Sequence, residues 1–246
     1  MKSNPKLKSY LIIILYLVIG LGLMGIAQLF KTPKWFNTAF VVLALFVVVN
    51  IATANVFKLK TEAQAFWSLK KIYFLPIGII TGGIIAISPI LAGLLTGATS
   101  MNQFKLDTDF TLTSVFVTLV IVTWEELWFR GIFLNYCNRN LSAIHISITI
   151  GFLFMMVHLF NPEINLLRTG PTLFFAGALL TIVYFYFRNI WLPIGLHFGN
   201  NYLTIQNNLD EHWFFGNEGY FGAIILAILF LLFVKLIFNR TNTIEI

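Results

Sequence analysis

Eight stretches of this chain stay apolar for about 20 residues, the length a helix needs to cross the hydrocarbon layer of a bilayer. They run approximately over 10–30, 37–57, 72–95, 110–136, 141–160, 169–187, 190–207 and 219–238. The spacing predicts an all-α polytopic membrane protein of about eight transmembrane helices, a single transmembrane domain over 1–246 with no soluble domain left over. Composition agrees. Only 11% of the residues are charged and 58% are hydrophobic, whereas a soluble domain carries roughly 25% charged residues.

The first run follows MKSNPKLKSY and is longer than the apolar core of a signal peptide, with no clear A-x-A site after it. It is expected to be an uncleaved span, and Gly20, Gly22 and Gly25 within it permit close helix packing. The third run contains Pro76, Gly82, Gly83 and Pro89. It is expected to bend, with neighbouring groups satisfying the backbone that proline releases. Before it lies KLKTEAQAFWSLKK, around which Phe66, Leu69 and Tyr73 follow helical spacing among lysines, and this predicts a short interfacial helix on the cytoplasmic surface.

Orientation follows from lysine and arginine. With the N-terminus inside, eleven such residues fall in cytoplasmic segments and four in outer ones, Arg130 excluded. Both termini are therefore expected in the cytoplasm, in a multi-pass protein of a cell membrane, and the compact chain suggests a bacterial plasma membrane. The net charge of +6 is this asymmetry rather than a nucleic-acid signal. The sole cysteine, Cys137, excludes an internal disulfide or a thiolate cluster.

Against this background the polar residues inside the spans need a reason. Val117–Gly131 reads VTLVIVTWEELWFRG and carries Glu125, Glu126 and Arg130 in unbroken apolar context. Each charge near a span centre costs roughly 2.5–3.5 kcal/mol on insertion scales. Glu126 and Arg130, four apart, can pair on one helical face. Glu125 points about 100° away, so what it meets on other helices becomes the question. His158 follows Phe154 by four, and His197 precedes Asn201 by four. Each couple shares a face, and the economical packing turns all these groups toward one interior cavity. At about 1.5 Å per residue from the cytoplasmic ends, Glu125 lies roughly 15–20 Å deep, His197 roughly 10 Å and His158 roughly 25 Å. Tilt or broken helices would have to close that spread.

Blander readings exist for each group. Glu126–Arg130 can be a structural ion pair, His158 a satisfied helix-end histidine, and Asn201 interhelical glue. His145 is expected at the membrane interface and His212 in an acidic outer loop. Trp35, Trp191 and Tyr220 fit an aromatic belt.

In order, these residues spell EExxxR at Glu125–Arg130, FxxxH at Phe154–His158 and HxxxN at His197–Asn201. The set resembles the CPBP family of intramembrane proteases, which includes the type 2 CAAX prenyl proteases and the bacterial Abi and bacteriocin-processing or immunity proteins. The likeness covers roughly 110–207, the expected catalytic core. It implies an intramembrane endopeptidase acting on a membrane-associated peptide or protein. Glu125 would activate water with help from His158, His197 and Asn201 would stabilise the oxyanion, and Glu126 with Arg130 would support the site. It implies no cofactor in the glutamate mechanism, but zinc is possible, with Glu125, His158 and His197 as its ligands. HExxH, whose spacing itself sets a zinc geometry, is absent. The partners are the bilayer and a peptide or membrane-protein substrate, with no nucleic acid. A non-enzymatic bacteriocin-immunity or scaffold protein of the same fold stays open. A proton-coupled transporter is disfavoured because no inverted repeat is visible.

Overall fold

The computed structural model describes residues 68–100, 112–134, 142–158, 165–205, 214–215 and 219–242. The first two expected spans, most of the interfacial segment, Trp35 and His212 lie outside the described residues. Among those described, every regular element is helical: α1 (Phe74–Leu95), α2 (Leu112–Glu126), α3 (Ala143–Val157), α4 (Leu166–Phe187), α5 (Trp191–Ile205) and α6 (Tyr220–Asn242). A 3-10 turn at Leu69–Lys71 precedes α1, and a π-helical segment, Leu127–Phe133, continues α2. Phe74–Leu95, Leu166–Phe187 and Tyr220–Asn239 are long and apolar enough to cross a membrane. Within the described residues α3 and α5 have 15 residues each, about 22 Å at 1.5 Å per residue.

The chain forms two compact units. α2 and its π-helical continuation belong to one, and the other five helices to the second. The stretch 110–207 contributes to both.

In the second unit α1 packs on α5, α3 on α4, and α4 on α6. Lipid is as apolar as leucine, so close packing rather than water exclusion must hold such helices together. α1 shows the resulting inversion. Gly78, Gly82, Ala86 and Gly93 are buried, whereas Ile77, Ile80, Ile84 and Leu91 face outward. The small residues interlock with a second small-xxx-small pair, Gly195 and Gly199 on α5. A Cβ on Gly78 would lie 2.6 Å from the Leu192 carbonyl oxygen, and one on Gly82 would lie 2.9 Å from the Asn200 amide nitrogen. Between α3 and α4, Gly151 and Gly177 do the same: a Cβ on Gly151 would come 2.6 Å from the Phe174 carbonyl oxygen. Leu179, Leu180, Ile182 and Val183 of α4 then fill the core with Leu192, Leu196 and Leu226.

Proline interrupts two helices, and in both a hydroxyl takes the carbonyl that the missing N–H leaves. α1 runs through Pro89 as one helix, with Ser88 Oγ donating to the Ile85 carbonyl at 2.7 Å. α4 runs through Pro171, where the Tyr220 hydroxyl donates to the Leu167 carbonyl at 3.2 Å. Tyr220, expected as a belt residue, thus ties α6 to α4. Trp191 is tied too, its indole N–H donating to the Ser68 carbonyl at 3.1 Å.

The turn from α4 into α5 is built locally. Arg188 takes the left-handed conformation (φ 51°) and its amide donates to the Tyr184 carbonyl at 2.8 Å, closing α4. Lys71 Nζ donates to the Phe187 carbonyl at 3.3 Å, a cation at the negative end of the helix dipole. Asn189, fully buried, accepts the Leu192 amide on its Oδ1 at 3.0 Å and so caps the start of α5. Proline at position 193, in the first turn, needs no N–H there.

Candidate active site

In the first unit, Arg130 Nη1 donates to Glu126 Oε1 at 2.9 Å, and both side chains are fully buried. The i,i+4 spacing therefore makes the pair that it suggests. Glu125, one residue earlier, is only partly buried. The helix widens immediately afterwards: over Leu127–Phe133 amides reach five residues back, as the Leu134 amide does to Phe129. The sequence carries no signal for this widening apart from Gly131. Such π-turns occur frequently at functional sites.

In the second unit a cavity of about 100 Å³ is lined from all five helices. Its polar lining is His158 from α3, Thr172 from α4, and His197, Asn200 and Asn201 from α5. Leu179, Leu180, Leu196 and Leu226 are among its apolar walls. At about 30 Å³ per liquid water, the space suits a few waters or a short piece of chain. The two couples predicted to share a face do so here, since His197 and Asn201 line one cavity with Phe154 and His158.

Phe154 organises the two imidazoles. Its ring is fully packed, with its centroid 4.9 Å from that of His158 and 5.7 Å from that of His197, the latter in an edge contact. Its position is dictated by Gly177, where an added Cβ would lie 2.7 Å from Phe154 Cβ. His158 caps α3, and its Nδ1 lies 2.7 Å from the Phe154 carbonyl oxygen. A carbonyl can only accept, so Nδ1 carries the proton and, in the neutral ring, Nε2 carries the lone pair. A histidine held in this way can take a proton from water or ligate a metal.

His145 is separate. Its Nδ1 lies 2.6 Å from Ser142 Oγ, the N-cap of α3, and it takes no part in the cavity. Thr172 and Asn200 are cavity residues that the motifs do not single out. Asn200 could have been found at i+3 from His197, whereas nothing in the sequence marks Thr172. The second unit brings two histidines, His158 and His197, to the cavity.

Residues 107–203 match the family model described as type II CAAX prenyl endopeptidase Rce1-like. The match spans all three motifs. No curated protein and no solved structure matches the chain.

Proposed function

With residues 107–203 matching the type II CAAX prenyl endopeptidase Rce1-like family, we propose that this chain is an intramembrane endopeptidase. It hydrolyses a peptide bond of a membrane-associated peptide or protein, using water activated by Glu125. The single observation that carries the reading is the cavity shared by His158, His197 and Asn201, three groups each costly in lipid. The full arrangement has eight spans with both termini cytoplasmic, as the distribution of lysine and arginine favours, in a bacterial plasma membrane.

In this mechanism Glu125 takes a proton from water as the oxygen attacks the scissile carbonyl. His158 assists through Nε2, the nitrogen left as an acceptor by the bond from Nδ1 to Phe154. General-base help of this kind contributes roughly 10²–10⁴-fold. His197 and Asn201 donate to the oxyanion as charge develops, and one such donor is worth about 10²–10³-fold in a dry site. The proton then passes to the leaving amine. Glu126 and Arg130 neutralise each other and hold the helix that presents Glu125. Glu125, His158 and His197 are the groups that would hold zinc, which when bound would polarise the attacking water. The glutamate mechanism proposed here runs without it.

The test is comparative peptidomics of membranes from cells carrying the wild-type protein or Glu125→Gln. Peptides that appear only with the wild-type protein, at equal accumulation of both, are the expected result. Identical peptidomes would refute the reading.

A further inference from the structure

The turn before α1 is strapped to the turn between α4 and α5 at two points. The Trp191 indole N–H donates to the Ser68 carbonyl at 3.1 Å. Lys71 Nζ donates to the carbonyls of Phe187 and Arg188 at 3.3 and 3.4 Å. The strap sets the start of one apolar span, Phe74–Leu95, beside the end of another, Leu166–Phe187. Lys71 is thereby committed to the end of α4. Lys70, next to it, and Arg188, whose carbonyl it holds, are both exposed. The Arg188 guanidinium lies over the Phe185 ring, 5.5 Å from the centroid. Such a contact engages the face of the guanidinium and leaves its N–H edge for an anion. Among the described residues of this unit there is no Asp or Glu to supply one.

We propose that Lys70 and Arg188 bind the headgroup phosphate of an anionic phospholipid, with Lys71 holding the two turns together. Depth selects the ligand. Lys70 stands just before Phe74 and Arg188 just after Phe187, at the limits of two apolar spans, where long basic side chains reach the headgroup level. Composition of the surface selects it too. Leu69, Ile72 and Tyr73, in and beside the same turn, are exposed. A small anion would leave them uncovered, whereas the acyl chains of a lipid cover them. A cationic turn with apolar edges therefore matches one charged head carrying apolar tails. The site shares no residue with the cavity of His158 and His197, and lipid binding there is independent of the endopeptidase reading.

The experiment is native mass spectrometry of the purified full-length protein, titrated with phosphatidylglycerol, phosphatidylcholine or glycerol phosphate. The first phosphatidylglycerol should bind roughly 30-fold more tightly than the first phosphatidylcholine, the joint effect of two basic side chains at an anionic headgroup. Lys70→Gln and Arg188→Gln should each weaken phosphatidylglycerol roughly fivefold, and the double variant should erase the preference. Lys70→Arg should bind as wild type does. Lys6→Gln with Lys8→Gln removes the same charge from the N-terminal segment and should change little. In phosphatidylcholine alone Lys70→Gln should melt with the wild-type protein, because its side chain is exposed. Equal affinity for the two lipids overturns the proposal. So does an equal loss in the Lys6 and Lys8 double variant, which would make the attraction a diffuse one. Displacement of phosphatidylglycerol by equimolar glycerol phosphate would assign the turn to a small soluble anion, and a melting loss in Lys70→Gln that accounts for its weaker binding would make Lys70 structural.

Discussion

The ring of His158 hydrogen-bonds the carbonyl of Phe154 at the end of α3. At this helix end the His158 amide turns to Met155 and Met156, so the Phe154 oxygen loses its ordinary i→i−4 donor. The imidazole Nδ1–H replaces it at 2.7 Å. One hydrogen bond thus closes the helix and sets the tautomer of a proposed catalytic group.

The first prediction concerns that tautomer. In ¹⁵N NMR of histidine-labelled protein above neutral pH, His158 should show a protonated Nδ1 and an unprotonated Nε2. The opposite assignment would remove its role as an acceptor. His158→Ala should lower processing by roughly 10²–10⁴-fold with little loss of accumulated protein.

The second concerns the two glutamates. Glu126→Gln removes the carboxylate paired with the buried Arg130, and breaking a buried pair in this way costs about 3–5 kcal/mol. It should therefore lower thermal stability and accumulation. The apolar double replacement Glu126→Leu with Arg130→Met should recover most of that loss. Glu125→Gln should leave stability near wild type and stop product formation. Equal melting losses for Glu125→Gln and Glu126→Gln would contradict this division.

A third follows from the glycine contacts. Gly177→Ala places a methyl 2.7 Å from Phe154 Cβ, and overpacking of this kind costs about 1–3 kcal/mol. Because Phe154 touches both imidazoles, processing should fall further than melting does. Gly82→Leu strikes the backbone of α5 itself, so the protein should fail to accumulate. Normal accumulation of Gly82→Leu would mean that α1 and α5 are not locked as described.

The fourth addresses metal. Purified active protein should contain zinc far below one equivalent, and chelation should leave processing unchanged. Near-stoichiometric zinc, lost together with activity and restored by adding it back, would replace the glutamate mechanism with a metal-assisted one.

The chemistry-bearing residues were legible in the sequence because two strong rules act on them. Charge is costly in lipid, so Glu125, Glu126, Arg130, His158 and His197 stand out wherever they sit. The 3.6-residue period then pairs residues four apart, and the Glu126–Arg130 ion pair and the shared cavity of His197 and Asn201 follow from it. The proline-freed carbonyl within the third apolar run, expected to find a neighbouring partner, finds one in Ser88.

Tertiary structure decided the rest, because it depends on which faces of separate helices meet. Local pattern alone does not tell that Gly78 and Gly82 seat on the backbone of α5, or that Gly177 fixes the Phe154 ring between two histidines. The π-helical widening after Glu126 and the tautomer of His158 belong to the same class. So does the gathering of Thr172 and Asn200 beside the motif residues in one cavity, which depends on how α4 and α5 pack together.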